Sequence, residues 1–186
     1  METIEISGII GMFAMALLTL NMVMGMMLST AYKKSSYWKK LPEQVKKLSI
    51  IDLHNYTAYV SLFLILVHVI LIPLDPKSGF SFMDIVQPLN APHQPKVVLL
   101  GFIALIAILV VIITTQKSIK KKLGFKFWKT IHLISYCTAI LFVIHGLLMD
   151  PLLKDRPTDW IDPEKMLAEL CGVVLIVATV LRRKAA

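Results

Sequence analysis

LHNYTAYVSLFLILVH, residues 53–68, and IHLISYCTAILFVIH, residues 131–145, each place two histidines in an otherwise apolar run. His68 stands at i+14 from His54, and His145 stands at i+13 from His132. At ~1.5 Å of rise per residue, each pair is separated by roughly 20 Å along a helix, about two-thirds of a hydrocarbon core. Ionisable side chains are costly inside a bilayer, so their presence there indicates a functional site. Two matching pairs predict two flat cofactors stacked across a membrane.

The composition indicates a membrane protein. Of the 186 residues, 56% are hydrophobic, and the mean hydropathy is +0.71. A soluble domain does not need so much apolar sequence or such long uninterrupted runs of it. The net charge of +8 does not indicate nucleic-acid binding, because the basic residues cluster between apolar runs, as topology signals do. The cysteines form no CxxC motif, which argues against a metal site or haem attachment of that kind.

The apolar runs predict five spanning helices, and residues 1–186 are expected to form a single all-α transmembrane bundle. The last predicted span is short and contains Glu169, unlike the other four. The predicted spans cover residues 8–32, 52–72, 97–115, 127–149 and 166–181.

The charges between the spans predict the orientation. Connections one and three and the C-terminus are basic, whereas the other connections carry mostly acidic residues. The positive-inside bias therefore predicts the N-terminus outside and the C-terminus in the cytoplasm of what we expect to be a bacterial cytoplasmic membrane. The basic residues concerned are Lys33, Lys34, Lys39, Lys40, Lys46, Lys47, Lys117, Lys120, Lys121, Lys122, Lys126, Lys129, Arg182, Arg183 and Lys184.

Depth in the membrane predicts how the histidines pair. Spans two and four run parallel, so His54 should meet His132 near the cytoplasmic side and His68 should meet His145 near the outer side. Two imidazoles on opposite faces of a haem iron give a six-coordinate centre suited to electron transfer, with no open position at the iron. The alternative to a cofactor site is that the four histidines are ordinary polar residues near the membrane interfaces. A zinc or copper site is less favoured, because it needs three or four convergent ligands.

The i to i+13 spacing in span four is awkward for an ideal helix. A step of i+14 returns to within roughly 40° of the starting face, whereas a step of i+13 leaves His132 and His145 about 140° apart. A π-bulge or a tilt would restore their alignment. We therefore predict a local irregularity between Leu133 and Ile144.

Residues 53–150 resemble the ferric reductase-like transmembrane domain, which is shared with the membrane part of NADPH oxidases. The resemblance is carried by LHNYTAYVSLFLILVHV, by GFSFMDIVQPL, and by TTQKSIKKKLGFKFWKTIHLISYCTAILFVIHGLLMD with its LGxxxWxxxHxxxY lead-in. The chain is also similar to the haem subunit of periplasmic methionine sulfoxide reductase. The resemblance implies two b-type haems, one bound by His54 and His132 and the other by His68 and His145.

One departure from the family concerns the electron donor. Family enzymes usually continue into an FAD- and NAD(P)H-binding region, whereas this sequence ends at RRKAA and contains no GxGxxG fingerprint. We therefore expect no FAD/NAD(P)H domain, and a flavin or quinone supplied from elsewhere: a separate flavoprotein dehydrogenase or membrane quinol. The lysine clusters could dock an acidic partner, although topology alone explains them.

Other residues receive weaker predictions. Lys126, Lys129 and Lys47 are candidate partners for the propionates of the inner haem, and Lys96 or Arg156 for those of the outer haem. Phe63, Tyr136 and Phe142 lie between the haem levels, where filling of the gap between the haems and packing against lipid or the core are equally expected. Trp128 has the position of an interfacial anchor. His93, in an outer loop, is a candidate for acceptor or metal binding, although an exposed loop histidine is usually only solvated.

Three functions are compatible with these residues. The first is a dihaem b-type cytochrome, the electron-transfer subunit of an oxidoreductase, carrying electrons from a cytoplasmic donor to ferric iron, dioxygen or an extracytoplasmic redox protein. The second is a quinol-oxidising haem anchor that feeds an outer reductase. The third is a non-redox membrane scaffold or haem transporter.

Overall fold

A computed structural model describes residues 2–30, 32–149 and 163–185, and these residues form helices joined by short connections. Within them, single 3₁₀ turns lie at Tyr32–Lys34, Pro76–Ser78 and Pro88–Asn90. The α-helices are α1 (Thr3–Leu28), α2 (Ser36–Lys39), α3 (Glu43–Lys46), α4 (Ile50–Leu74), α5 (Phe82–Val86), α6 (Pro95–Thr115), α7 (Lys117–Leu123), α8 (Phe125–His132), α9 (Ile134–Leu148) and α10 (Pro163–Ala185).

Four of the described segments are long and apolar enough to cross a membrane: α1, α4, α6, and α8 together with α9. Their mean hydropathies range from 1.9 to 3.3. These helices match four of the five predicted spans, and the protein is an all-helical integral membrane protein. The fifth predicted span corresponds to α10, whose sequence carries charges near both ends, and its crossing of the membrane stays a prediction.

The four spans surround a narrow interior. α1 and α6 each pack against both α4 and α9, and α10 packs on α1 and α9. The outer surface is apolar, with Phe13 66% exposed and Phe63 64% exposed. Such a surface is expected where lipid replaces water. Of the two alternatives for Phe63, the exposure of its ring favours contact with lipid over filling of the space between the two cofactor levels.

The fourth predicted span is interrupted at one residue. Leu133 forms a turn between α8 and α9, so His132 ends one helix and His145 lies near the end of the next. The Tyr136 N–H donates to the Leu133 carbonyl at 3.1 Å, a tighter i to i−3 bond. The predicted irregularity is confirmed, at the first residue of the predicted interval, as a single-residue turn and not a π-bulge.

A polar connection fixes the end of the bundle where α1 begins and α4 ends. The buried Asp75 carboxylate accepts hydrogen bonds from the backbone N–H of Ile4 at 2.9 Å and of Lys77 at 3.0 Å. The Lys77 ammonium forms an exposed ion pair with Glu2, whose hydrogen bond raises the Lys77 pKa. Asp75 thus ties the first turn of α1 to the end of α4.

Replacing Asp75 should weaken this junction. Asp75→Ala leaves two backbone donors without their acceptor, and we expect a loss of about 1–3 kcal/mol in unfolding free energy. Thermal unfolding in detergent would measure it. Lys77→Gln is the control, since it breaks only the exposed ion pair and should leave the midpoint nearly unchanged. Equal shifts in both variants would contradict this role for Asp75.

Candidate functional site

Two cavities inside the bundle each contain one pair of histidines. His54 and His132 line a cavity of about 590 Å³, named here the His54 cavity. His68 and His145 line a second cavity of about 180 Å³, the His68 cavity. The structure therefore brings the four histidines together in the pairs predicted from their depth. The His54 cavity lies at the end of the bundle where the basic connections are, called the basic end below.

The two histidines of α4 contact α1 in the same way. The His54 Nδ1–H donates to the Asn21 carbonyl at 3.0 Å, and the His68 Nδ1–H donates to the Ser7 carbonyl at 2.8 Å. Each ring lies over the glycine at i+4 from that carbonyl: a Cβ would lie 3.1 Å from His54 on Gly25 and 3.0 Å from His68 on Gly11. We call this arrangement, a helix carbonyl at i with glycine at i+4, a histidine seat.

Side chains of α1 also donate hydrogen bonds to α4. The Ser7 hydroxyl donates to the His68 carbonyl at 2.9 Å, and the Asn21 amide donates to the His54 carbonyl and to the Thr57 hydroxyl. Ser7 and Asn21 are only 1% and 5% exposed, so both polar groups depend on these partners. Because both contacts recur at the same i to i+14 step on each helix, they set one register between α1 and α4.

A third seat holds His145 on α6. The His145 Nδ1–H donates to the Val97 carbonyl at 2.9 Å, and a Cβ on Gly101 would lie 2.8 Å from the His145 ring. Sequence reasoning did not connect the glycines of the first span with the histidines. The i to i+14 spacing of Gly11 and Gly25, which matches that of His54 and His68, was the signal that could have linked them.

His132 is held differently from the other three. Its ring stacks on Trp128 with centroids 5.2 Å apart and an interplanar angle of 27°. The Lys120 ammonium forms a cation–π contact with Trp128, 3.6 Å from the centroid of its ring. Within the part of the chain that the structure describes, the buried His132 Nδ1 has no hydrogen-bond partner. Trp128, predicted to be an interfacial anchor, therefore lines the site itself.

The seats decide which nitrogen of each ring can bind a metal. A carbonyl only accepts, so Nδ1 of His54, His68 and His145 carries the proton and Nε2 keeps its lone pair. Metal-binding histidines commonly show this orientation, with the second nitrogen bonded to a carbonyl. The His54 and His132 centroids are 6.2 Å apart. Two imidazoles bound to opposite sides of one iron at about 2 Å place their centroids roughly 6 Å apart.

The donor set fits haem better than a bare metal ion. Residues 2–30, 32–149 and 163–185 contain no cluster of three or more His, Cys, Asp or Glu side chains able to hold a metal. A tetrahedral site would need that many ligands. A porphyrin supplies four nitrogens itself and needs two axial histidines, which is what each cavity provides. The residues present therefore fit two bis-histidine haems.

Among the described residues, basic side chains line only the His54 cavity. Lys129, predicted as a propionate partner, lines it together with Lys120 and Arg182. Lys126, Lys96 and Lys47 line neither cavity, and Arg156 lies outside the described residues. Arg182 donates to the Tyr136 hydroxyl beside the cavity. Sequence reasoning missed Arg182 because the C-terminal basic cluster was already explained by topology.

An aliphatic layer separates the cavities. Leu18 lines both of them, and Ile108 and the fully buried Ser61 stand at the corresponding midpoints of α6 and α4. Of the aromatic residues predicted between the two levels, Phe142 lines the His68 cavity and Tyr136 lines the His54 cavity. The direct separation between the two sites is therefore a thin layer of packed side chains.

His93 lies outside the His68 cavity. Its ring is 6.3 Å from that of Phe80, and Phe80 lines the cavity. His93 is thus one side chain away from the site that a haem would occupy. Its predicted role in acceptor or metal binding stays a prediction.

The sequence was compared with known families and proteins. A family model described as ferric reductase like transmembrane component matches residues 7–143. The match begins at Ser7 of the first seat, includes His54, His68 and His132, and ends just before His145. No curated protein matches the chain significantly.

Gly101→Ala should remove the His145 seat. The new Cβ would overlap the ring at 2.8 Å, so His145 must leave the Val97 carbonyl. We expect haem content per chain, measured as the pyridine haemochrome, to fall by half. Gly172→Ala makes the same chemical change against a Val143 methyl group, at 3.3 Å, and should retain the wild-type content. Full haem content with an unchanged spectrum in Gly101→Ala would show that the seat is dispensable.

Proposed function

Because the chain belongs to the ferric reductase-like transmembrane family, we propose that it carries electrons across the membrane through two b-type haems. His54 and His132 would hold one haem, and His68 and His145 the other. The observation that carries the proposal is the orientation of the rings: three of the four histidines are fixed through Nδ1, with Nε2 left for iron.

The bound haems would supply one-electron chemistry, since the iron alternates between its ferric and ferrous states. The protein's part is to hold the ligands. A carbonyl bond to Nδ1 fixes the tautomer and the ring orientation, and it makes Nε2 a stronger donor. With two imidazoles for each iron, no coordination position stays open to substrate, which suits electron transfer and not binding of a substrate at the metal.

The packing around each site supports a continuous path. Leu18, which lines both cavities, and Ile108 belong to one buried apolar cluster. At the basic end, Lys129 and Arg182 lie where they could neutralise propionates of the haem between His54 and His132. The His68 cavity is lined mainly by aliphatic residues and glycines, and the cation beside it among the described residues is the buried Lys165, whose ammonium donates to the carbonyls of Gly146 and Met149.

The path would run from the cytoplasm outward. By the positive-inside bias, the basic end, and with it the His54 cavity, would face the cytoplasm. The electron donor would be a separate flavoprotein that docks at this end, where its acidic surface would meet lysines. The acceptor at the His68 end would be ferric iron, dioxygen or an extracytoplasmic redox protein.

Histidine variants test the two-haem proposal. His54→Ala or His132→Ala should remove only the haem at the basic end, and His68→Ala or His145→Ala only the other, so each single variant keeps about one haem per chain. Reduced-minus-oxidised spectra and iron content would measure this. His93→Ala is the control and should keep both haems. A wild-type protein without redox-active haem would support a scaffold instead.

The donor can be tested in proteoliposomes. A reduced anionic flavin added at the basic end should reduce the haems, and the rate should fall as salt is raised, because lysines there attract anions. Lys129→Gln should lower that rate, whereas Lys96→Gln, at the other end of the bundle, should not. Rapid reduction by a short-chain quinol without any flavin would instead favour the quinol-oxidising anchor.

A further inference from the structure

α6 has no seat for His132, and the position where that seat would lie can be identified. Gly25 stands at i+14 from Gly11 on α1, and the same step from Gly101 on α6 leads to Thr115. Thr115 lines the His54 cavity, as does Val111, whose carbonyl would be the seat's acceptor at i. The Thr115 hydroxyl donates to the Ile112 carbonyl at 2.6 Å, which keeps the side chain on its own helix surface. A ring cannot approach α6 there as His145 does at Gly101.

In place of a seat, His132 has a stacking contact with a side chain of its own helix. Trp128 precedes His132 by one helical turn on α8, so the two rings stack as i, i+4 neighbours. The Lys120 ammonium of α7 lies over the Trp128 ring, 3.6 Å from its centroid. The Trp128 Nε1 and His132 Nδ1 are both buried without a hydrogen-bond partner in the described part of the chain. Among the described residues, the Trp128 ring is closer to His132 than the His54 ring is, at 5.2 Å against 6.2 Å between centroids, and it is the contact that can orient His132.

We propose that Trp128 is the positioning residue of His132, and that His132 is consequently the exchangeable ligand of the pair. The inference rests on the proposed function, because it concerns the haem held by His54 and His132. An imidazole without a carbonyl partner is a weaker and less fixed donor than its three seated counterparts. The His54 cavity, at about 590 Å³, also leaves more room for a ring to move than the His68 cavity does.

The exchange can be written as a simple ligand substitution. The bond from the ferrous iron to His132 Nε2 breaks, and a bond to a small neutral ligand such as carbon monoxide forms. No electron or proton is transferred. The seated histidines should resist this substitution, so binding is limited to one site per chain. Removing the Trp128 ring should raise the affinity for carbon monoxide by about tenfold or more, the usual scale for loss of a supporting contact around a metal ligand.

The experiment compares carbon monoxide binding by dithionite-reduced, detergent-purified variants. Trp128→Ala should bind carbon monoxide at up to one ligand per two haems, and Trp128→Phe, which keeps an aromatic face, should behave like wild type. Trp38→Ala is the matched control, since Trp38 packs edge-to-face against Tyr32 and lines neither cavity. Unchanged binding in Trp128→Ala, or equal gains in Trp128→Ala and Trp38→Ala, would overturn the inference.

Thr115→Gly tests the same inference without touching the stack. It opens the missing seat, and the Thr114 hydroxyl, which donates to the Val111 carbonyl at 3.0 Å, can keep its shorter bond to the Val110 carbonyl at 2.8 Å. His132 should therefore gain the Val111 carbonyl, bind iron more strongly and lower the midpoint potential of one haem only. Ala107→Gly introduces the same helix-weakening residue on α6 at a position that lines neither cavity, and it should not change that potential. An unchanged potential in Thr115→Gly would overturn the inference, whereas a wild-type protein lacking two haems would overturn the proposed function itself.

Discussion

The structure depends on one bond repeated three times, a histidine Nδ1–H donating to a helix carbonyl on a neighbouring span. A carbonyl oxygen has two lone pairs, and the helix uses only one of them for the N–H at i+4. The second is reachable only where the residue at i+4 has no side chain, which is why Gly11, Gly25 and Gly101 occur where they do. The same contact sets ring orientation, helix spacing and the position of each cavity.

These contacts also fix the register between helices, which apolar packing cannot do in lipid. Lipid tails are as apolar as leucine, so burial of aliphatic side chains does little to choose one helix register over another. Small residues and interhelical hydrogen bonds are then the specific forces. Ser7 and Asn21 supply such bonds at two levels of α1, and a shift of either helix by one turn would break both together. The site and the fold are therefore stabilised by the same residues.

This explains what the sequence could and could not predict. Four spans, the histidine pairs and the irregularity at Leu133 followed from hydropathy, depth and helix geometry. The seats did not, because their acceptors are backbone atoms that any residue can supply, as Val97 does. The sequence could not decide which way Phe63 faces, because a helix that is apolar on all sides gives no periodic signal of its buried face. Arg182 was missed because its contact with Tyr136 depends on how α10 packs.

The two cavities differ because α8 and α9 are separate helices. His145 belongs to α9 and is fixed by α6, whereas His132 belongs to α8 and takes its orientation from Trp128 on the same helix. The turn at Leu133 lets each ring be placed independently, which an unbroken helix with an i to i+13 spacing would not allow. One end of the bundle thus has a smaller, more apolar cavity whose two histidines are both fixed by carbonyls, while the other has a larger cavity lined by Lys120, Lys129 and Arg182. The ligand fields of two such sites differ, and with them the potentials that would set the direction of electron flow.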